Sequence, residues 1–308
     1  MGRRPEPESE NPDLLEQDGV SGGIEELPAR VDRYGKAKKT ALDVADYMEG
    51  LPKSQGLQLL AQRVKGCGDY LLFRHYFTVD QVKLHAASLC MKHLLCPLCA
   101  IRRGARFLAA YLDRFERIQA DRPHLKAYLV TLTVKDGDDL AERFAHLHKG
   151  QRELWKRKQR GRGSALDGVE GAAWSYEIKR GSGSGAWHPH LHMIALAESQ
   201  PDQTALASEW HNITGDSYIV DVRPIDPHNP ASGFVEVFKY AVKFSDQAPA
   251  DTVAAFLALR GKRLLASSGC FRGVPEPDSL MDDAEALEGL PFVTMFYRYL
   301  RAAGLYSL

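Results

Sequence analysis

Three histidines alternate with other residues in the segment WHPHLH, residues 187–192. Successive side chains of a β-strand point to opposite faces, so His188, His190 and His192 share one face if this segment is a strand. Two imidazoles at this spacing can bind one metal ion and leave other coordination positions open. Pro189 cannot donate a hydrogen bond to a sheet, so the strand is expected to begin there. The pattern predicts a metal site at His190 and His192, with His188 at its rim.

A carboxylate precedes the histidine segment and is a candidate third ligand. Residues 173–179 and 187–197 are predicted as two strands, joined by the flexible sequence RGSGSG at 180–185. A hairpin of this kind brings Glu177 close to the histidines. A hard divalent ion prefers at least one oxygen ligand, which Glu177 would supply. The alternative is an ordinary exposed carboxylate on a strand.

A tyrosine lies in a segment with helical periodicity, predicted as a helix over residues 232–245. Glu236, Tyr240 and Lys243 stand at positions i, i+4 and i+7, which is one face of a helix. A phenol has a pKa near ~10 and needs help to attack phosphorus. A metal ion can polarise the phosphate, and a nearby cation such as Lys243 favours the phenolate. The alternative is an amphipathic surface helix.

Four of the five cysteines are spaced like ligands of a structural zinc. The C-P-x-C sequence at residues 96–99 is typical of a zinc turn, and two further cysteines precede it. His93 and His85 compete for the fourth ligand position, and a set of buried free thiols is the alternative to any metal. A closed all-cysteine site would leave no position for catalysis. Its predicted ligands are Cys67, Cys90, Cys96 and Cys99.

The 308 residues include 40 basic and 40 acidic side chains, so the formal net charge is zero. Taken as a whole, that total argues against a nucleic-acid partner, but the charge is distributed unevenly. Residues 31–273 carry a net charge of +9, whereas residues 1–30 carry −5 and residues 274–290 carry −6. A basic run with one tryptophan, suited to phosphate contacts, extends over residues 149–163. The charge pattern therefore predicts a basic central region between two acidic segments.

The remaining periodicities predict an α+β fold. A helix begins at Pro97 and continues to about residue 119, a strand covers residues 127–134, and a helix follows over residues 138–158. The order of elements across residues 127–245 favours a largely antiparallel sheet. No apolar stretch reaches the ~18 residues of a membrane span, and the first residues lack the apolar core of a signal peptide. The sequence is thus expected to act in the cytoplasm without a membrane partner.

Taken in order, these motifs resemble those of rolling-circle replication initiators of small bacterial plasmids, in the HUH endonuclease superfamily. The resemblance covers roughly residues 35–273. It comprises the strand at 129–134, the His-hydrophobic-His motif at 190–192, the tyrosine motif at 236–243, the cysteine segment at 96–99 and the segment at 259–264. Each motif is short, and their common order makes the resemblance specific.

The resemblance implies an enzyme that nicks one DNA strand at the double-strand origin. Tyr240 would be the nucleophile, forming a 5′-phosphotyrosine link and leaving a 3′-OH primer, and His190 and His192 would hold Mg²⁺ or Mn²⁺. Glu236 occupies the position at which one branch of the family carries a glutamate that activates water at termination. Lys243 would position the phosphate or stabilise charge.

The implied fold is a central five-stranded antiparallel sheet, of ferredoxin or RRM-like type, with flanking helices and a small N-terminal zinc-binding helical part. Four regions are expected along the chain. They are an acidic disordered tail over 1–34, a helical part with the zinc site over 35–120, the nicking domain over 121–273, and an acidic linker with a C-terminal segment over 274–308.

The expected partner is plasmid origin DNA, single-stranded at the nick. A host helicase is a further expected partner, because the sequence contains no G-x-x-x-x-G-K-[ST] motif of a nucleotide-driven motor. Alternatives are a transposase or relaxase of the same superfamily, a metal phosphodiesterase that uses water, and a zinc-containing DNA-binding regulator without catalysis. The candidate DNA contacts are Arg102, Arg103, Arg106, Lys156, Arg157, Lys158 and Arg160.

Overall fold

A computed structural model describes residues 22–53, 56–161, 163–239 and 247–308. Most of the predicted acidic tail lies outside the described residues. So do Tyr240 and Lys243.

Seven helices and nine strands are present in the described ranges, and the strands form two separate antiparallel sheets. The helices are α1 (Leu27–Gly50), α2 (Gln58–Lys65), α3 (Pro97–Asp121), α4 (Leu140–Gln159), α5 (Gln203–Thr214), α6 (Pro230–Phe238) and α7 (Pro249–Leu259). The strands are β1 (Tyr70–Tyr76), β2 (Gln81–Ala87), β3 (Lys126–Thr133), β4 (Val169–Arg180), β5 (Trp187–Ala197), β6 (Val220–Pro224), β7 (Leu265–Gly269), β8 (Val293–Leu300) and β9 (Leu305–Ser307).

The larger sheet has five strands in the order β6-β3-β5-β4-β7, with the histidine strand β5 at its centre. Strands β4 and β5 form the predicted hairpin, in a register that places Glu177 opposite His190 and Ser175 opposite His192. On the other side of β5, Thr131 of β3 lies opposite His192. Because directly opposed residues of an antiparallel pair share a face, all of these side chains point to the same side of the sheet. The expected α+β class with a central five-stranded antiparallel sheet is confirmed.

Alternating residues of the central strands supply two hydrophobic cores, one on each face of the five-stranded sheet. Leu191 and Met193 pack in the core that includes α4 and α5. Ile194 and Leu196, on the histidine face, pack in the core that includes α3 and α6. Aspartates cap the two helices of the face opposite the histidines. The Asp139 side chain accepts hydrogen bonds from backbone N–H groups in the first turn of α4, and the Asp202 side chain does the same for α5. The histidines therefore lie on a strand that is buried on both sides.

The smaller sheet has the order β2-β1-β8-β9, so the end of the chain pairs with its beginning. No strand was predicted in the C-terminal segment, yet β8 pairs with β1 over six residue pairs. The acidic segment that precedes β8 also reaches the core. Asp282 accepts hydrogen bonds from Arg102 at 2.5 Å and from Arg30 at 2.8 Å. The N-terminal part is therefore a mixed structure of helices and a sheet, and not helical alone.

The expected helix over residues 232–245 is wrong in its extent. Helix α6 ends at Phe238, and Lys239 has an extended ψ of 170°. The helix that carries Glu236 therefore ends before Tyr240 and Lys243, which lie outside the described residues, so a continuous helix over 232–245 no longer supports placing the three on one face. Within the described ranges, no helix has the length and apolarity to cross a membrane.

Candidate metal centres and DNA-binding surface

The structure brings Glu177, His190 and His192 together on the buried face of the β4–β5 hairpin. Glu177 Oε2 lies 3.0 Å from His190 Nε2 and 2.9 Å from His192 Nε2. The three residues are 4%, 5% and 8% exposed. One carboxylate oxygen and two imidazole nitrogens thus converge on one point, which is a donor set suited to a divalent ion.

The second nitrogen of each ring has its own partner. His192 Nδ1 lies 3.1 Å from the Thr131 hydroxyl, and His190 Nδ1 lies 3.4 Å from the carbonyl oxygen of His188. A proton on Nδ1 that is donated to these oxygens leaves the lone pair of Nε2 free to bind a metal. The surroundings of both rings therefore fit a metal-binding role.

The Glu177 carboxylate is charged despite its burial. Burial by itself would raise its pKa. The neighbouring His190 charge, the hydrogen bonds with both histidines and the Lys239 charge outweigh burial and hold the pKa of Glu177 well below its usual range. An ionised carboxylate is the form that binds a metal ion.

A cation that the sequence analysis did not single out adjoins this group. Lys239 Nζ lies 2.7 Å from Glu236 Oε2 and 3.8 Å from Glu177 Oε2. Lys239 thus links Glu236 to the metal-binding group, and it immediately precedes Tyr240 in the chain. The sequence signal for Lys239 is its place in the tyrosine motif, but on a continuous helix over 232–245 it is Lys243, and not Lys239, that would share a face with Tyr240.

A hydrogen bond holds helix α6 against the sheet next to the metal-binding group. The Ser175 hydroxyl donates a hydrogen bond to the carbonyl oxygen of Val237 in the last turn of α6. Ser175 lies opposite His192 on the neighbouring strand. This bond fixes the end of α6, and with it Glu236 and Lys239, relative to the histidines.

His188 lies at the rim of the group and not within it. Its Nδ1 pairs with a carboxylate oxygen of Asp136, and its ring centroid is 5.5 Å from that of His190. Burial lowers the pKa of His188 more than the hydrogen bond with Asp136 raises it. Its carbonyl oxygen lies 3.4 Å from His190 Nδ1 and its ring lies beside the His190 ring, but no nitrogen of His188 belongs to the group of converging ligand atoms.

The four predicted zinc ligands form a second group. Cys67 follows α2, Cys90 follows β2, and Cys96 and Cys99 lie at the start of α3. The sulfur–sulfur distances are 3.4 Å for Cys96–Cys67, 3.5 Å for Cys67–Cys99 and 3.6 Å for Cys90–Cys99. The edges of a tetrahedral zinc–thiolate site are about 3.8 Å at the usual bond length, so these four sulfurs fit such an ion.

The local structure around the cysteines leaves little space for other ligands. Gly68 has a positive φ of 69°, and a Cβ at this position would lie 2.6 Å from Leu98. Neither His85 nor His93 belongs to the group of four. His93 lies instead on the wall of a nearby groove, where burial and then the charge of Arg103 lower its pKa to about 4.

One predicted DNA contact is wrong. Arg102 is fully buried, and it donates to Asp282, to the Tyr34 hydroxyl and to the carbonyl oxygen of Leu280. A side chain with no exposed surface cannot reach a phosphate. Arg106, one turn further along the same face of α3, is partly exposed.

The other predicted contacts retain exposed or partly exposed positions on α3 and at the end of α4. Arg103 is paired with Glu276. Lys156 and Arg157 lie 3.9 and 3.7 Å from Glu153, while the Lys158 ammonium lies 5.8 Å from the ring centroid of Trp155. Six of the seven predicted DNA contacts therefore remain accessible at the surface, namely Arg103, Arg106, Lys156, Arg157, Lys158 and Arg160.

Comparisons with known proteins point to replication proteins. A family model described as "Replication protein" matches residues 81–291, more than half of the chain. A "Protein rep" of Bacillus amyloliquefaciens is 27% identical over 63% of this chain and 59% of its own length. A "Protein rep" of Lactiplantibacillus plantarum is 24% identical over 73% of this chain and 76% of its own length.

The chain spans about 60% of the length of the first three curated relatives it matches, at 59%, 61% and 60%. No solved structure matches it.

Proposed function

The chain belongs to the replication-protein family, and from that premise we propose that it initiates rolling-circle replication of a plasmid. In this proposal it nicks one strand of the origin DNA, remains attached to the 5′ end through a tyrosine and leaves a 3′-OH primer. The observation that carries the proposal is the buried Glu177–His190–His192 group next to Lys239, which pairs with Glu236 and directly precedes Tyr240 in the chain. A host helicase would separate the strands.

Three residues would hold the catalytic ion, namely Glu177, His190 and His192. When Mg²⁺ or Mn²⁺ is bound there, it supplies charge that polarises the scissile phosphate. Thr131 orients the His192 ring, and the backbone carbonyl of His188 orients the His190 ring. The separate Cys67–Cys90–Cys96–Cys99 group would hold a structural Zn²⁺, since four thiolates close the coordination shell.

In the proposed nicking step, the Tyr240 phenolic oxygen attacks the phosphorus and its proton passes to solvent. A bond forms between this oxygen and phosphorus, and the bond between phosphorus and the 3′ oxygen breaks. The 3′ oxygen leaves and is protonated to the 3′-OH primer. The Lys239 ammonium, close to the metal-binding group, favours the developing negative charge, and Lys243 is proposed to assist it.

At termination, Glu236 is proposed to act as a general base. Its carboxylate is paired with Lys239 and is partly exposed, so a water molecule can reach it. Glu236 takes a proton from that water, whose oxygen attacks the phosphorus at the second cleavage. The products are a 5′-phosphate end without a protein link and a 3′-OH.

Covalent attachment tests the proposal most directly. Labelled single-stranded oligonucleotides that tile the DNA flanking the gene are incubated with Mn²⁺ and the full chain, and adducts that resist denaturation are counted. We expect an adduct with the native protein, none with Tyr240→Phe, and a normal yield with the control Tyr218→Phe, which alters an exposed tyrosine. An adduct of undiminished yield with Tyr240→Phe would overturn the assignment of the nucleophile.

A second experiment tests the role of Glu236. Glu236→Ala is expected to form the adduct and yet fail to release monomeric circles, because no base activates the water. The control Glu116→Ala removes an exposed carboxylate from α3 and should terminate normally. Normal circle release by Glu236→Ala would remove the proposed role.

A further inference from the structure

A groove of about 830 Å³ extends from the end of α6 to the start of α3. Lys239 and Ser175 lie at its inner end, beside the metal-binding group. Its other walls come from α3, from the segment at 261–267 and from the segment at 272–276. The groove therefore connects the proposed nicking site to the surface of the cysteine-bearing part of the chain.

The charge of this groove is strongly positive. Five basic side chains and one acidic side chain line it, namely Arg103, Lys239, Lys262, Arg263, Arg272 and Glu276. Lys262, Arg263 and Arg272 are exposed, and none of the ion pairs recorded for the described ranges of the chain involves them. Cations that line a groove without acidic partners attract a phosphodiester backbone.

The single acidic residue of the groove comes from the acidic segment at 274–290. Glu276 pairs with the Arg103 guanidinium, which also lies over the Phe107 ring with its carbon Cζ 4.7 Å from the centroid. The contact with Phe107 directs the guanidinium toward the groove. Glu276 is 67% exposed in its side chain, so this ion pair is open to water and weak. A carboxylate there presents its oxygens to Arg103 much as a phosphate would.

We propose that this groove holds the backbone of single-stranded origin DNA next to the nick, and that Glu276 occupies one phosphate position until DNA displaces it. The inference rests on the proposed function and adds to it the path of the substrate. It also gives the acidic segment a role, because Glu276 competes with phosphate for Arg103 and so disfavours DNA that is not seated in the groove.

The first test compares two pairs of cations. Binding of a fluorescent oligo(dT) and of the nicked-strand oligonucleotide is measured by anisotropy over a range of salt for the full chain. Lys262→Ala/Arg272→Ala should weaken binding roughly tenfold and make the salt dependence shallower by about 1.4, since each lost phosphate contact contributes about 0.7. The control Lys36→Ala/Lys39→Ala removes two exposed cations of α1 and should change neither quantity.

The second test concerns Glu276. Glu276→Gln should tighten binding of oligo(dT) several-fold, because Arg103 no longer has an internal anion. Glu116→Gln, which neutralises an exposed carboxylate elsewhere on α3, is the matched control and should leave affinity unchanged. Unchanged affinity in Glu276→Gln, or an equal gain in Glu116→Gln, would overturn the proposed phosphate position.

The two proposals fail in different ways. If the native protein forms no Tyr240-dependent adduct, the nicking function fails, whatever the groove variants bind. If the adduct forms, but the Lys262/Arg272 variant binds DNA with native affinity and native salt dependence, the groove is not the DNA path. Equal losses in the groove variant and in the α1 control would also overturn it, since they would indicate charge attraction without a defined path.

Discussion

The two metal-binding groups of this protein are built in different ways. The cysteine group draws its four sulfurs from three loops or helix ends, over residues 67–99, and closes around one point. The Glu177–His190–His192 group lies on two neighbouring strands and offers only three donors, beside Lys239 and Glu236. A closed set of four thiolates is suited to holding a fold together, and an incomplete set beside charged side chains is suited to binding a substrate.

The largest expected effect follows from removal of one sulfur of the cysteine group. Cys99→Ser should release the zinc and unfold the N-terminal part, because structural zinc contributes about 10–16 kcal/mol to such sites. Metal analysis should find about one zinc in the native protein and none in the variant, with a collapse of the melting temperature. The control Cys270→Ser, outside the group, should keep the zinc and the native melting temperature. Retention of zinc and native melting by Cys99→Ser would contradict the closed-site interpretation.

The next effect concerns the buried ion pairs that join the C-terminal segment to the same part of the fold. Asp282→Asn should cost about 3–5 kcal/mol in the free energy of unfolding, since two buried arginines lose their shared partner. The exposed neighbour Asp283 supplies the control, Asp283→Asn, which should cost far less. Urea unfolding measures the free energy of unfolding of both variants, and equal costs would show that the ion pairs of Asp282 with Arg30 and Arg102 do not stabilise the fold.

The Asp282 carboxylate also makes the free energy of unfolding depend on pH, in a direction that follows from its pKa. Burial alone would raise the pKa of Asp282, but Arg102 and Arg30 outweigh it and hold this pKa well below its usual range. The folded pKa is therefore lower than the unfolded value of about 3.9. The stabilisation is fully present above pH ~4 and is lost as the pH falls toward the folded pKa. The stability gap between native protein and Asp282→Asn should thus narrow below pH ~4, and a gap that is constant with pH would contradict this cause.

A smaller effect, on activity and not on stability, is expected when a ligand of the Glu177–His190–His192 group is replaced. His190→Gln should reduce Mn²⁺-dependent nicking by at least about 100-fold, because a metal contributes several kcal/mol to charge stabilisation. Zinc content should remain at about one per chain, which distinguishes the two groups. His211→Gln, at the exposed end of α5, serves as the control. Loss of zinc in His190→Gln would show that the two groups are not independent.

The smallest expected effect comes from a residue that only orients a ligand. Thr131→Val removes the hydroxyl next to His192 Nδ1 and should weaken Mn²⁺ affinity by about 10–100-fold. Thr133→Val is matched in shape and face, but its hydroxyl donates to the carbonyl oxygen of Ile219. Titration of nicking activity with Mn²⁺ gives the metal affinity of each variant. Equal Mn²⁺ affinities in Thr131→Val and Thr133→Val would show that Thr131 does not orient His192.

The sequence predicted the local elements of the five-stranded sheet well. The β4–β5 hairpin followed from two apolar strands around a Gly-Ser loop, and the period of two placed His190 and His192 on one face. The four cysteines were likewise evident from a short zinc turn and two preceding cysteines. Strands β2, β8 and β9 were not predicted. For β8 the reason is that it is formed by pairing with β1, more than 200 residues earlier in the chain. The burial of Arg102 could not be predicted either, because its partner Asp282 is 180 residues away in the chain.

By itself, the sequence determined which residue types could bind metal and in what order they occur, because these properties depend on side-chain chemistry and on local backbone period. Only the tertiary structure decided which groups meet. It ended α6 at Phe238, brought Lys239 between Glu236 and Glu177, and buried one arginine of α3 while leaving the next in a basic groove. These outcomes depend on contacts between distant segments, whose free energies are not encoded in any local pattern.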